Sequence, residues 1–194
     1  MAANAIQMES TELNDVEFAS IDDFLISVEK KGYRIALLGV GQHADAIDIL
    51  QDAMLKLVTN YSEKPANEWK PLFYRILHNR VTDWQRQQKL KNMFFFWRQD
   101  SEDEADIFDN ISDEKTLDPI QAIGKSALQK DVVAELEKLP LKQQQCFLLR
   151  TWEGMSVKET AVVMQCSEGS VKTHFFRAVQ KLKSVLGESH DIKI

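Results

Sequence analysis

The sequence predicts an all-α chain of two helical domains joined by a flexible acidic linker, and three observations lead there. Apolar residues recur at steps of three and four through both halves of the chain, the period of a helix that buries one face. The stretch Val157 to Phe176, VKETAVVMQCSEGSVKTHFF, has the spacing of a helix-turn-helix and runs on into a basic helix. Between the halves, SEDEADIFDNISDEKTLDP offers few residues that could support a core, so roughly 99–118 reads as linker. At 194 residues the chain has room for two small domains.

Residues 1–17 are polar and expected to be disordered, and they lack the basic start and apolar run of a secretion signal. Phe18, Ile21, Phe24, Leu25 and Val28, then Tyr33, Ile35, Leu37 and Leu38, suggest two helices. Ala44–Val58 is helical by period, with Ile47, Leu50, Met54, Leu57 and Val58 inward and Asp45, Asp48, Gln51, Asp52 and Lys56 outward. A loop at about 60–68 precedes a helix from Trp69 to Lys91, with Pro71 early in it, where a missing N–H costs little. Its buried stripe is Leu72, Phe73, Ile76, Leu77, Val81 and Trp84. Its other face holds Arg75, Asn79, Arg80, Arg86, Lys89 and Lys91. Arg75, Asn79 and Asp83 fall at i, i+4 steps along one side, and Asp83 is placed to pair with Arg80 or Arg86. Met93-Phe94-Phe95-Phe96-Trp97 either caps this domain or is covered by a partner. The expected domains are therefore 18–98 and 125–188, with a linker over 99–124 and a tail over 189–194.

In the second half, Leu136, Leu139, Leu141, Cys146, Phe147, Leu148 and Trp152 mark two helices interrupted at Pro140, since proline does not continue a helix easily. Gly154 follows the second, and Ser156 with Glu159 forms a capping box for the third. Ala161 is small where one helix must approach the next. Cys166-Ser167-Glu168-Gly169 is a short polar break in which Ser167 can cap the last helix. There Val171, Phe175, Ala178, Leu182 and Val185 share one face, and Lys172, Thr173, Arg177, Gln180 and Lys181 share the other. A helix that buries one stripe and presents cations and hydroxyls on the opposite side suits a DNA major groove.

The net charge of −6 argues against nucleic-acid binding until its distribution is considered. Residues 1–29 carry carboxylates and no Lys or Arg. Residues 69–98 carry Lys70, Arg75, Arg80, Arg86, Lys89, Lys91 and Arg98 against Asp83 alone, and residues 99–118 carry nine carboxylates against Lys115. Two basic modules separated by acid imply two DNA-contacting domains on a tether. Enzymatic readings fare badly. Cys146 and Cys166 are too few and too far apart for a metal site, His43, His78, His174 and His190 have no ligand spacing, and there is no glycine-rich phosphate loop or nucleophile motif. No catalytic residue, metal or cofactor is expected. No apolar run reaches membrane-spanning length, and a cytoplasmic location is inferred.

The run from Leu136 to Leu186, LEKLPLKQQQCFLLRTWEGMSVKETAVVMQCSEGSVKTHFFRAVQKLKSVL, resembles region 4 of the extracytoplasmic-function group of bacterial sigma factors. The matching residues are Leu139-Pro140, Glu153-Gly154-Met155-Ser156, Glu159, Ala161, Ser167, Gly169 to Thr173, Arg177-Ala178 and Leu182. Thr160 stands where the family usually has isoleucine, and Gln165 where it usually has glycine. The resemblance implies that this module reads a promoter −35 element, here through Ser170, Lys172, Thr173, His174, Arg177 and Lys181. Ala44–Val58 is similar to region 2.2, whose polar face binds the β′ coiled coil of RNA polymerase, which places Asp48, Gln51 and Asp52 at that contact.

The helix from Trp69 resembles regions 2.3 and 2.4, whose Tyr-Arg-Ile-x-x-Asn-x-x-x-Asp pattern is matched by Tyr74, Arg75, Ile76, Asn79 and Asp83. Trp69 replaces the usual phenylalanine and Leu72 the usual tryptophan. The resemblance assigns −10 capture and melting to Asn60, Tyr61, Asn67, Trp69, Arg75, Asn79, Arg80, Arg86 and Lys89. Cations would meet phosphates, and amides or hydroxyls a base edge. The implied partners are core RNA polymerase, through the β′ coiled coil and the β flap, promoter DNA and, commonly in the family, an anti-sigma protein. A stand-alone helix-turn-helix regulator with an N-terminal sensing domain is the alternative; it predicts operator binding without polymerase. A protein-interaction adaptor with inert basic helices is a third.

Overall fold

The computed structural model describes residues 18–99 and 127–189. The expectations for the N-terminal segment, the acidic linker and the tail lie outside these residues, as do the side chains of Phe95, Phe96, Trp97 and Val185. Among the described residues seven helices follow one another: α1 (Ile21–Val40), α2 (His43–Tyr61), α3 (Ala66–Gln99), α4 (Ala127–Glu137), α5 (Leu141–Thr151), α6 (Val157–Met164) and α7 (Glu168–Ser189). The described residues contain no strand.

α1, α2 and α3 pack on one another around Phe24, Leu57, Phe73, Leu77 and Val81, all fully buried. Phe24 meets Phe73 edge-on at 6.0 Å between ring centres. The two helices expected over 18–38 are one. Ser20 caps its start by accepting from the Asp23 N–H at 3.1 Å, and it runs unbroken to Gly41, whose φ of 78° ends it. Gly32 does not interrupt the helix. A β-carbon there would lie 2.9 Å from Phe73 Cζ and 3.0 Å from Leu50 Cδ1, so the glycine lets three helices meet.

Two further expectations are corrected on α2 and α3. Val58 is exposed, because the apolar stripe of α2 runs through Ala46, Ile49, Leu50, Ala53 and Leu57, and Val58 lies one residue beyond that face. α3 begins at Ala66 and continues to Gln99, so the connecting loop shrinks to Ser62–Pro65 and the Met93 cluster extends the helix, with Met93 and Phe94 exposed. Pro71 consequently sits inside α3. Its missing N–H leaves the Asn67 carbonyl without the usual donor four residues on.

α5, α6 and α7 bury Cys146, Leu148, Leu149, Val163, Val171, Ala178 and Leu182. The capping box is formed: Ser156 Oγ accepts from Glu159 N–H at 3.1 Å, and Glu159 accepts from Ser156 N–H at 2.7 Å. Thr160 fills the isoleucine position fully buried because its hydroxyl donates to the Ser156 carbonyl at 2.8 Å. α6 ends at Gln165, which takes the left-handed conformation with φ 51°. The turn therefore keeps glycine geometry with a side chain in place.

The two modules touch. α3 packs on α6, and α1 packs on α5 and α4. Gln144, buried, donates to the carbonyls of Leu38 and Leu136, each at 3.0 Å. Lys70 Nζ donates to the Glu153 carbonyl at 3.0 Å. Gly39 allows this approach, since a β-carbon there would lie 2.5 Å from Val81 Cγ1 and 3.3 Å from Gln145 Nε2.

Candidate nucleic-acid interface

The polar face of α3 forms one wall of a cleft of about 1030 Å³. Arg75, Asn79, Arg80, Arg86 and Lys89 line it together with Tyr61 from the last turn of α2. The opposite wall is Pro140, Leu141, Lys142 and Gln143 of the second module, with Met164, Gln165 and His174. Six of the nine residues assigned to −10 capture thus come together. Asn60 and Asn67 are exposed on the last turn of α2 and the first turn of α3, outside this cleft. Trp69 is a correction: it is only 7% exposed and packs against Phe24 with ring centres 6.0 Å apart, so its ring belongs to the core and is not presented to a base.

Charge along the cleft is partly committed. Arg80 lies 3.4 Å from Asp52 and Arg86 lies 3.6 Å from Asp83. Both pairs are exposed and contribute little to stability. They hold the guanidinium groups toward Asp52 and Asp83. Asp48, Gln51 and Asp52 are exposed on α2, Asp52 being the one tied to α3.

On α7, Lys172, Thr173, Arg177 and Lys181 are exposed, and the opposite stripe of Val171, Ala178 and Leu182 is buried. Phe175 stacks on Phe147 at 6.1 Å, with the Arg150 guanidinium 5.7 Å from its ring centre, which fixes α7 against α5. Ser167 Oγ accepts from Ser170 N–H at 3.1 Å and pairs with Ser170 Oγ at 2.9 Å. Thr173 donates its hydroxyl proton to the Gly169 carbonyl at 2.9 Å. A hydroxyl committed in that way can still accept a hydrogen bond and offer its methyl group. His174 is half-buried and turned into the cleft.

Electrostatics follow burial. Desolvation holds His78 below the usual histidine value, with Lys142 adding to the effect and the Gln145 side chain opposing it. Desolvation, Lys142 and Arg177 do the same to His174. Burial raises the Cys146 thiol to about 11 and also raises Cys166, so both stay protonated and unreactive.

Lys70, His78, Gln144, Gln145 and Glu153 carry the contact between the modules. Lys70, His78 and Glu153 stand out in the sequence for their charge, ring or motif, but none of the five is read there as a contact between modules. Buried polar residues show no periodicity of their own, and a cross-module partner leaves no local signal. Gln144 and Gln145, next to Cys146 on an otherwise apolar face, were the readable hint.

The family model of sigma-70, region 4, matches residues 129–182. The chain is 30% identical over 149 residues to the RNA polymerase sigma-E factor of Streptomyces avermitilis, covering 76% of this chain and 74% of that protein. It is 26% identical over 167 residues to the ECF RNA polymerase sigma factor EcfG of Rhodopseudomonas palustris, covering 85% and 83%. Among solved structures it is similar to the sigma factor RpoE of Bartonella quintana, crystallised in complex with the anti-sigma factor NepR. The TM-score is 0.54 at 21% identity, covering 84% of this chain and 96% of that one.

Proposed function

The chain belongs to the extracytoplasmic-function group of RNA polymerase sigma factors, and from that premise we propose how its residues divide the work. It binds core RNA polymerase and directs it to promoters, the first module, 18–98, capturing the −10 element and the second, 125–188, reading the −35 element. It carries out no chemistry of its own and acts in the cytoplasm. No described helix is long and apolar enough to cross a membrane.

The observation that carries this reading is the presence of two separate basic faces in one chain, one lining a cleft beside Tyr61 and one fully exposed on α7. Arg75, Arg80, Arg86 and Lys89 meet phosphates of the opened strand, while Asn79, Asn60 and Asn67 offer amides to base edges. Tyr61 supplies the aromatic surface in place of the buried Trp69. On duplex DNA, Lys172, Arg177 and Lys181 neutralise phosphates and His174 flanks them. Thr173 reads a base as an acceptor or through its methyl, which favours an adenine or cytosine amino group or a thymine methyl. Ser170 acts mainly by holding the Ser167 cap. Asp48, Gln51 and Asp52 present the acidic face of α2 to the β′ coiled coil, and the second module meets the β flap. The Bartonella quintana relative suggests an anti-sigma partner for this chain as well.

The test is run-off transcription with the purified chain, core polymerase and promoter DNA. Specific transcripts are expected only when all three are present. Operator binding with no polymerase complex would favour the stand-alone regulator instead.

A further inference from the structure

The cleft beside α3 has two walls, and strand capture accounts for only one of them. Among the described residues, Lys56, Arg75, Arg80, Arg86, Lys89 and Lys142 line it against one carboxylate, Asp83. Asp83 already lies 3.6 Å from Arg86, and Arg80 lies 3.4 Å from Asp52, which is outside the lining. Lys56, Arg75, Lys89 and Lys142 make no ion pair among the described residues. The far wall includes the first turn of α5, whose start at Pro140 has no side-chain cap, so the positive end of a helix dipole lies at the cleft as well. Arg80 Nε and the Nδ1 atoms of His78 and His174, three residues of the lining, are buried with no hydrogen-bond partner among the described residues. The walls meet where Gln165 Nε2 donates to Asn79 Oδ1 at 3.3 Å.

We propose that this cleft is a binding site for a chain of linked phosphates, free or carried on a nucleoside, held between Lys56 and Arg75 on one wall and Lys142 on the other. On a convex face such cations would simply be solvated. In a concavity of about 1030 Å³ their fields add, and an entering anion meets cations from α2, α3 and α5 together. Four cations without a carboxylate exceed the charge of about −2 that one phosphate carries, which selects for several phosphates in a row. The volume is that of a small-molecule site, with room for a nucleoside beside the phosphates. Half-buried Tyr61 offers a ring for its base, and Gln143 an amide for the base edge. A single strand following α3 has no need of Lys142, Gln143 or His174, which stand on the second module. If α3 is also the strand-capturing helix, Arg75 and Arg80 serve both ligands and the phosphate chain competes with the strand. The site itself does not depend on that reading.

Isothermal titration calorimetry on the full-length chain, at fixed ionic strength, tests the site with inorganic phosphate, inorganic triphosphate and ATP. Triphosphate should saturate a single site and bind about tenfold more tightly than phosphate, because it reaches cations on both walls. Lys142→Gln should weaken triphosphate binding about tenfold, through loss of one charge-assisted contact. Lys183→Gln, at an exposed lysine of α7 outside the cleft, should leave it unchanged. Equal losses from the two variants, or no preference for triphosphate over phosphate, would overturn the site and leave only a general attraction of cations for anions. The source of the phosphates is read from ATP. Tighter binding than triphosphate, reduced about fivefold in Tyr61→Leu, assigns the site to a nucleotide, and equal affinity assigns it to a free phosphate chain. Saturating triphosphate should also displace a −10-sequence single-stranded oligonucleotide. Triphosphate binding with no displacement would leave the site standing and move strand capture away from Arg75 and Arg80.

Discussion

α3 and α7 are both long basic helices with one apolar stripe, yet their basic faces have different surroundings. The cations of α3 line a cleft whose far wall is the other module, and Arg80 and Arg86 are paired with carboxylates. Lys172, Arg177 and Lys181 of α7 are exposed, as Arg86 and Lys89 of α3 also are, but those of α7 do not line the cleft. Single-stranded DNA exposes base edges and stacking faces, which a cleft lined by cations, amides and an aromatic ring suits. Duplex DNA is read by rigid docking of a helix in a groove, which asks only that the helix be well supported. Phe147, Phe175 and Arg150 supply that support to α7.

The strongest way to break the contrast is to remove the support common to both faces. Phe73 is fully buried, fills the gap left by Gly32 and packs on Tyr74 at 5.0 Å between ring centres. Tyr74 is itself buried beside Glu153 of the second module, and burial with that carboxylate pushes its hydroxyl well above the ordinary tyrosine value. Phe73→Ala should cost about 3–5 kcal/mol. Because the modules share this contact, denaturant unfolding should shift as one transition by fluorescence and circular dichroism. Two separate transitions would show that the modules stand apart.

Next come the faces themselves. Arg177→Ala should weaken duplex binding about tenfold and lower its salt slope by about one, leaving single-strand binding intact; Arg75→Ala should do the reverse. Equal losses on both DNAs would dissolve the distinction. Ser156→Ala removes half of the capping box under α6 and should cost about 1 kcal/mol, read as a lower denaturation midpoint, with a smaller effect on single-strand than on duplex binding.

The helices of the second module were legible almost residue by residue, because Pro140, Gly154, Ser156, Glu159 and Ser167 each act within one turn of their own backbone. The first module was less so. Gly32 lies between the two helices that the apolar pattern suggests, yet the helix is continuous there and the glycine serves a contact with Phe73 and Leu50 on two other helices. Trp69 reads as a displaced family aromatic, yet its burial depends on Phe24, far away in the chain. The candidate site was legible as a set of basic faces and not as a cleft, since nothing local to Asn79 announces that Gln165 will reach it.

The smallest expected effect is that of pH, and it also bears on α3. His78 lies on α3 against Gln145 and Lys142 of α5, and His174 on α7 faces Lys142 and Arg177, with Arg75, Arg80, Asp83, Arg86 and Lys89 lining the same cleft. Both imidazoles titrate below the unfolded value of about 6.5. Below that pH the unfolded chain binds more protons than the folded one, so stability is fully present above about 6.5 and falls as pH drops toward the depressed folded values. Glu159, whose carboxyl is held below its ordinary value chiefly by the Ser156 hydrogen bond, acts in the same sense at lower pH, losing its contribution as pH falls through that depressed value. The denaturation midpoint should therefore decline between pH 7.5 and 5.5. His78→Gln should flatten most of that decline, because His78 is the more deeply buried of the two. A profile as steep in His78→Gln as in wild type would move the effect to His174 on the exposed helix and reverse the assignment.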